Sequence, residues 1–61
     1  MELKEYLKLI DEKPTPWAEK HGLSPATISR RLRGQRISAV NGMKIVEASG
    51  GAVSLKEATG V

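Results

Sequence analysis

The chain has 61 residues, which is enough for one domain spanning 1–61. At that length folding hides only about 60% of the unfolded surface, so the fold is marginal. It has no cysteine and a single histidine, His21. Disulfide bracing, thiolate metal sites and the usual multi-histidine metal sites are therefore excluded. No apolar run approaches the ~20 residues of a membrane span, and Met1-Glu2-Leu3-Lys4-Glu5 does not read as a signal peptide, so a cytoplasmic protein is expected.

The net charge of +3 hides a strong asymmetry. Residues 1–19 carry three lysines against five acids, whereas residues 20–46 carry six basic residues and no acid. Residues 47–61 carry Lys56 against Glu47 and Glu57. All four arginines fall between Arg30 and Arg36. Such a block suits an anionic partner, and arginine favours bidentate contact with phosphate or guanine. The competing reading is an ordinary solvated helix face.

The first helix is expected over about Glu2 to Glu12. Leu3, Tyr6, Leu7 and Ile10 form one helical stripe, and Lys13-Pro14 ends it. The second is expected to start with Thr15 as N-cap and Pro16 as first helical residue, and to stop at Gly22. The third repeats this grammar, with Ser24 as N-cap, Pro25 first, and its end at Gly34. A fourth helix is expected from about Ser38 to Ser49. There Val40, Met43 and Val46 share one side while Ile45 and Ala48 point elsewhere, so both sides are expected to be buried. Gly42 inside it costs up to ~1 kcal/mol in propensity and permits close packing. Ser54-Leu55-Lys56-Glu57 has capping-box spacing and opens a short fifth helix. No segment alternates with period two, so no sheet is expected.

Helices two and three are joined by only His21-Gly22-Leu23-Ser24, the arrangement of a helix-turn-helix unit. Ala18 lets the two helices cross closely, Gly22 turns the chain, and Leu23 plugs the core. On the third helix, at ~100° per residue, Ile28 and Leu32 share one face. Ser29, Arg33, Ala26 and Arg30 lie on the other side, between roughly 100° and 200° from Ile28. Small residues near the helix start and arginines further along suit a helix laid against base edges.

The stretch from Trp17 to Gly34 resembles the Cro and repressor-like helix-turn-helix family of phage and bacterial transcriptional regulators. Ala18, Gly22, Leu23, Ser24, Ile28 and Leu32 carry the resemblance, with the run Leu23-Ser24-Pro25-Ala26-Thr27-Ile28-Ser29-Arg30 especially similar. Ile45 to Val53 also looks like the family's fourth-helix ending, so the likeness covers most of the chain. It implies an all-α, compact four- to five-helix repressor-like domain that contains a helix-turn-helix. The docking geometry it implies is that family's, with the second helix of the unit in the major groove.

The resemblance implies base contacts from Pro25, Ala26, Ser29, Arg30 and Arg33. It implies phosphate contacts from Thr15, Trp17 (through its backbone amide), Ser24, Thr27 and Arg36. The family often carries Gln where this chain has Pro14. There Thr15 and the amides near Trp17 are expected to substitute. Arg31 sits at a position often apolar in the family. Its stem is expected to pack along Trp17 or the fourth helix, so it is not a base contact.

The side chains of Trp17 and Tyr6 read as core, His21 as a packed helix-end residue, and Lys44 as a weaker phosphate candidate. Glu2, Glu5, Asp11 and Glu12 read as a solvated face with no acid–base pair among them. No enzyme, cofactor, metal or small-molecule substrate is expected. The expected partners are a double-stranded DNA operator and, weakly or on DNA, a second copy docked around Val53, Leu55 and Val61. Two alternatives stand beside this reading: an antitoxin-like regulator with an added toxin-binding surface, and a helical protein-interaction module without DNA binding.

Overall fold

Residues that accept a left-handed backbone decide where the helices stop. In the computed structural model, which describes residues 1–61, the chain forms α1 (Leu3–Leu9), α2 (Pro14–Lys20), α3 (Pro25–Leu32), α4 (Ala39–Ala48) and α5 (Leu55–Thr59), with no strand. The helix α1 ends earlier than Pro14 alone would require. Asp11 takes φ 56°, the Asp11 N–H donates to the Lys8 carbonyl and the Glu12 N–H to the Leu7 carbonyl. This is the paired closure of a Schellman motif, built on one of the few side chains that tolerate that conformation. Ile10 is thereby the C-cap and 37% exposed, not the fourth member of the buried stripe.

The same closure ends α2 at Gly22, where the Leu23 N–H reaches the Ala18 carbonyl at 2.8 Å. It recurs after α3, with Gln35 N–H on the Arg30 carbonyl, and after α4, with Gly51 N–H on the Val46 carbonyl. Four helices thus turn out of their axes within two or three residues. That is how 61 residues hold five of them.

The start of α2 differs from the sequence expectation. Its N-cap is Lys13, not Thr15, and its first residue is Pro14, not Pro16. The first hydrogen bond of the helix runs from Trp17 N–H to the Lys13 carbonyl at 3.2 Å. Both prolines consequently occupy first-turn positions whose amides would have had no intrahelical acceptor, so neither costs a bond. Ser24 and Ser38 precede α3 and α4 as N-caps, and the Ser38 hydroxyl accepts from Asn41 N–H. Ser54 and Glu57 form the capping box of α5, with Ser54 N–H on the Glu57 carboxylate at 3.1 Å and Glu57 N–H on the Ser54 hydroxyl at 3.2 Å.

Leu3, Leu7, Trp17, Ala18, Leu23, Ile28, Ile45, Val53 and Ala58 form one core. Trp17 lies at its centre with Tyr6 edge-on at 6.3 Å and His21 at 5.0 Å between ring centroids. The helix α4 turns one side to the core, with Gly42 and Ile45 buried and Val46 and Ala48 half-buried against it. The expected two-sided burial is wrong, because Val40 and Met43 point outward at 67% and 55% exposure. Gly42 instead lets α5 approach, as a Cβ there would overlap Thr59 Cγ2.

Val53 is fully buried, held by its N–H on the Ser49 hydroxyl at 3.1 Å. It cannot belong to a docking surface for a second copy, and of the three residues expected there only Leu55 and Val61 are exposed. No helix is long and apolar enough to cross a membrane.

Candidate nucleic-acid interface

Short as it is, α3 has two chemically opposed faces. Ile28 is fully buried against the core and Leu32 is half-buried beside it. On the opposite side Ala26, Ser29, Arg30 and Arg33 are exposed. Neither arginine is engaged by a carboxylate, since the ion pairs of the chain are Met1–Glu57, Lys20–Glu12 and Arg31–Glu2. The face is therefore a hydrated cationic surface with small side chains at its N-terminal end.

The first turn of α2 lies alongside it. Lys13, Pro14, Thr15 and Pro16 face Pro25, Ser29, Leu32 and Arg33 across a surface groove of about 430 Å³. Of the expected contacts, the fold thus brings Thr15, Pro25, Ser29 and Arg33 to one place. Ser24, Ala26 and Arg30 are exposed on the same short helix or its cap, and Thr27 and Pro25 are half-buried. Arg36 is exposed in the α3–α4 connection and is not part of that groove.

One expected contact is overturned. Trp17 is 1% exposed, and its N–H is taken by the Lys13 carbonyl, so neither its ring nor its amide can meet a phosphate. The one first-turn amide of α2 without a backbone acceptor is that of Thr15. In α3, Ala26 and Thr27 N–H are similarly open, while Ile28 N–H is the first to bond, to the Ser24 carbonyl. The Ser24 hydroxyl makes no capping bond and stays exposed.

Arg31 is separated from the other arginines by its environment. Its Nε donates to the Glu57 carbonyl at 3.2 Å, its Nη1 to the Gln35 carbonyl at 3.4 Å, and Nη2 stands 3.6 Å from Glu2 Oε1. The guanidinium lies under Gly60, where a Cβ would sit 3.0 Å from Cζ. Arg31 therefore packs on α5, not along Trp17 or α4 as the sequence led one to expect. Its cation meets carbonyls near a helix C-terminus, where the backbone dipole favours positive charge.

The Glu57 carboxyl has a strongly lowered pKa. The Met1 ammonium hydrogen-bonds its Oε1 at 2.9 Å, and Ser54 adds a backbone and a hydroxyl contact. Together these hold its carboxyl down at about 2.

Lys13 is the residue that sequence reasoning missed. Placing the α2 cap at Thr15 left Lys13 in a loop. Moving the cap back two residues sets it at the mouth of the groove. The available signal was Pro14 itself, since proline favours the first position of a helix. No group of three or more His, Asp or Glu side chains is placed to hold a metal ion. Compared with protein-family models, curated proteins and solved structures, the chain has no match in any of the three.

Proposed function

We propose that this chain is a sequence-specific double-stranded DNA-binding transcriptional regulator, of the phage or prophage Cro or repressor type, and that α2 and α3 are its helix-turn-helix. In this reading α3 lies in the major groove. Ala26 and Ser29 allow close approach, Arg30 and Arg33 reach guanine edges or flanking phosphate, and Thr15, Ser24, Thr27 and Arg36 meet the backbone. Two copies on half-sites one helical turn apart would roughly double the contacts of one short reading helix. A chain that acts by occupying DNA needs no catalytic residues and no cofactor.

The observation that carries the reading is the division of α3: Ile28 fully buried on one side, Arg30 and Arg33 exposed and unpaired on the other. Residues 20–46 supply no acid that could neutralise the pair from within the same stretch. The test is selection of bound duplexes from a random pool. A recurring half-site is the expected outcome. No retention of duplex DNA even at low salt would refute the reading.

A second reading is favoured by a different observation. Val40 and Met43, one turn apart on the outer side of α4, are strongly exposed apolar residues. That is the feature an antitoxin-like regulator, or a protein-interaction module without DNA binding, would present. Substituting both with Ser separates the cases. A DNA reader keeps its affinity for duplex, whereas a module that binds protein through this patch loses its partner.

A further inference from the structure

The cationic surface does not stop at the groove between α2 and α3. A second groove, of about 390 Å³, is lined by Lys4, Leu7, Lys8, Glu12, Pro14 and Leu32. It shares Pro14 and Leu32 with the first, which Lys13 and Arg33 border. Lys4 and Lys8 are one helical turn apart on α1, both exposed. A continuous strip thus runs from Arg33 and Lys13, over Leu32 and Pro14, to Lys8 and Lys4.

The charge of the strip is left unneutralised. Lys4, Lys8 and Lys13 join none of the ion pairs. Glu12, the one acid lining the second groove, is held by Lys20 Nζ at 2.6 Å. Glu2 and Glu5 lie in a neighbouring groove with Lys4, Arg31, Leu32 and Gly34, where Glu2 is paired with Arg31 and neither acid pairs with Lys4. The acids of residues 1–19 give this segment a negative net charge, yet the fold turns its lysines toward the arginine face.

We infer that Lys4, Lys8 and Lys13 form a second backbone grip, which takes nucleic-acid phosphates flanking the base pairs that α3 reads. The inference rests on the DNA-binding reading and extends its footprint from α2–α3 onto α1. Lysine suits the task, being a flexible point charge that neutralises a phosphate without demanding a fixed geometry. The grip adds affinity and salt dependence and carries no base preference.

The test measures binding of the full chain to a mixed-sequence duplex of about 30 base pairs, roughly three helical turns, across a salt series. Each phosphate neutralised contributes about −0.9 to the log–log slope. Lys4→Gln with Lys8→Gln should therefore flatten the slope by about two. Lys56→Gln, on α5 beside Glu57 and Gly60, should leave it unchanged. Circular dichroism melts of all three proteins should superimpose, since these lysines are exposed. The inference is overturned if the double variant keeps the parental slope while Arg33→Gln and Arg36→Gln lower it, an outcome that leaves α3 as the reader. It is equally overturned if Lys56→Gln costs as much per charge, for then only net charge matters. A parental chain that binds no duplex at low salt overturns this inference and the DNA-binding reading together.

Discussion

Gly42 and Thr59 occupy a single space between α4 and α5: the Cβ that glycine lacks would overlap Thr59 Cγ2 and touch Leu55 Cδ1 at 3.3 Å. Thr59 is buried and its hydroxyl is tied to the Leu55 carbonyl at 2.9 Å, so it cannot swing aside cheaply. Alanine at 42 would gain up to ~1 kcal/mol of helix propensity but overpack the contact by about 1–3 kcal/mol. The expected net loss for Gly42→Ala is about 1 kcal/mol, or a melting point roughly 4–8 °C lower in a domain of this size. Thr59→Ser removes the clashing methyl and keeps the hydroxyl. The double variant should therefore be more stable than the sum of the singles, and strict additivity in thermal melts would show that the contact is not the cause.

The arginines of α3 should separate by role. Arg31→Ala removes two carbonyl contacts from a side chain only 12% exposed. Its expected cost is about 1–2 kcal/mol of folding stability, with no change in the preferred DNA sequence. Arg30→Ala should leave the melting point in place and relax base preference at one operator position by about 1–3 kcal/mol. Arg36→Ala should weaken all duplexes alike and flatten the salt slope by about one unit. Melts of each variant, with binding to cognate and scrambled duplexes, check the separation. Identical behaviour of Arg30→Ala and Arg36→Ala would contradict the assignment of the reading face.

Acid should loosen the α5 end of the fold in a defined window. The Glu57 carboxyl is held at about 2 against an ordinary 4.5, first by the Met1 ammonium and then by Ser54. A depressed folded value means that the carboxylate stabilises the fold above the unfolded value. That contribution fades as pH falls from 4.5 toward 2. Glu57→Gln should therefore melt lower than the parent at neutral pH and lose less on acidification through this window. Parallel pH profiles for the two proteins would contradict the linkage.

Salt and stoichiometry test the dimer on DNA. Three or four phosphates per subunit give six to eight for a pair, hence a slope of roughly −5 to −7 on a two-half-site duplex. Sedimentation should find the free chain mainly monomeric and two chains on that duplex. A single chain binding one half-site as tightly as the whole operator would remove the dimer and leave the reading helix intact.

Much of this architecture is legible because its signals are local. Ser54 and Glu57 are three residues apart and form their capping box regardless of what surrounds them. Gly22 and Gly34 close α2 and α3 through bonds that span at most five residues. The two opposed faces of α3 follow from spacing alone, with Ile28 and Leu32 one turn apart. The misplaced start of α2 arose where two local signals competed. Pro14 and Pro16 both suit a helix start, and only the left-handed turn at Asp11 leaves the chain placed so that the first of them is used.

By itself the sequence determined the helical class, a count of four to five helices, the short α2–α3 turn and the position of the arginine block, because periodicity, caps and turn residues act within a few positions. Tertiary structure decided which side chains that block can use. Arg30 and Arg31 are neighbours of identical chemistry, yet 31 points toward α5 and is fixed by Glu57 and Gln35 while 30 stays free. Tertiary structure likewise decided that Val40 and Met43 lie outside and Val53 inside, and that Lys4 and Lys8 border the same surface as Lys13 and Arg33. These relationships join residues far apart in the chain, through burial and approach, and no helical period encodes which face the next helix will cover.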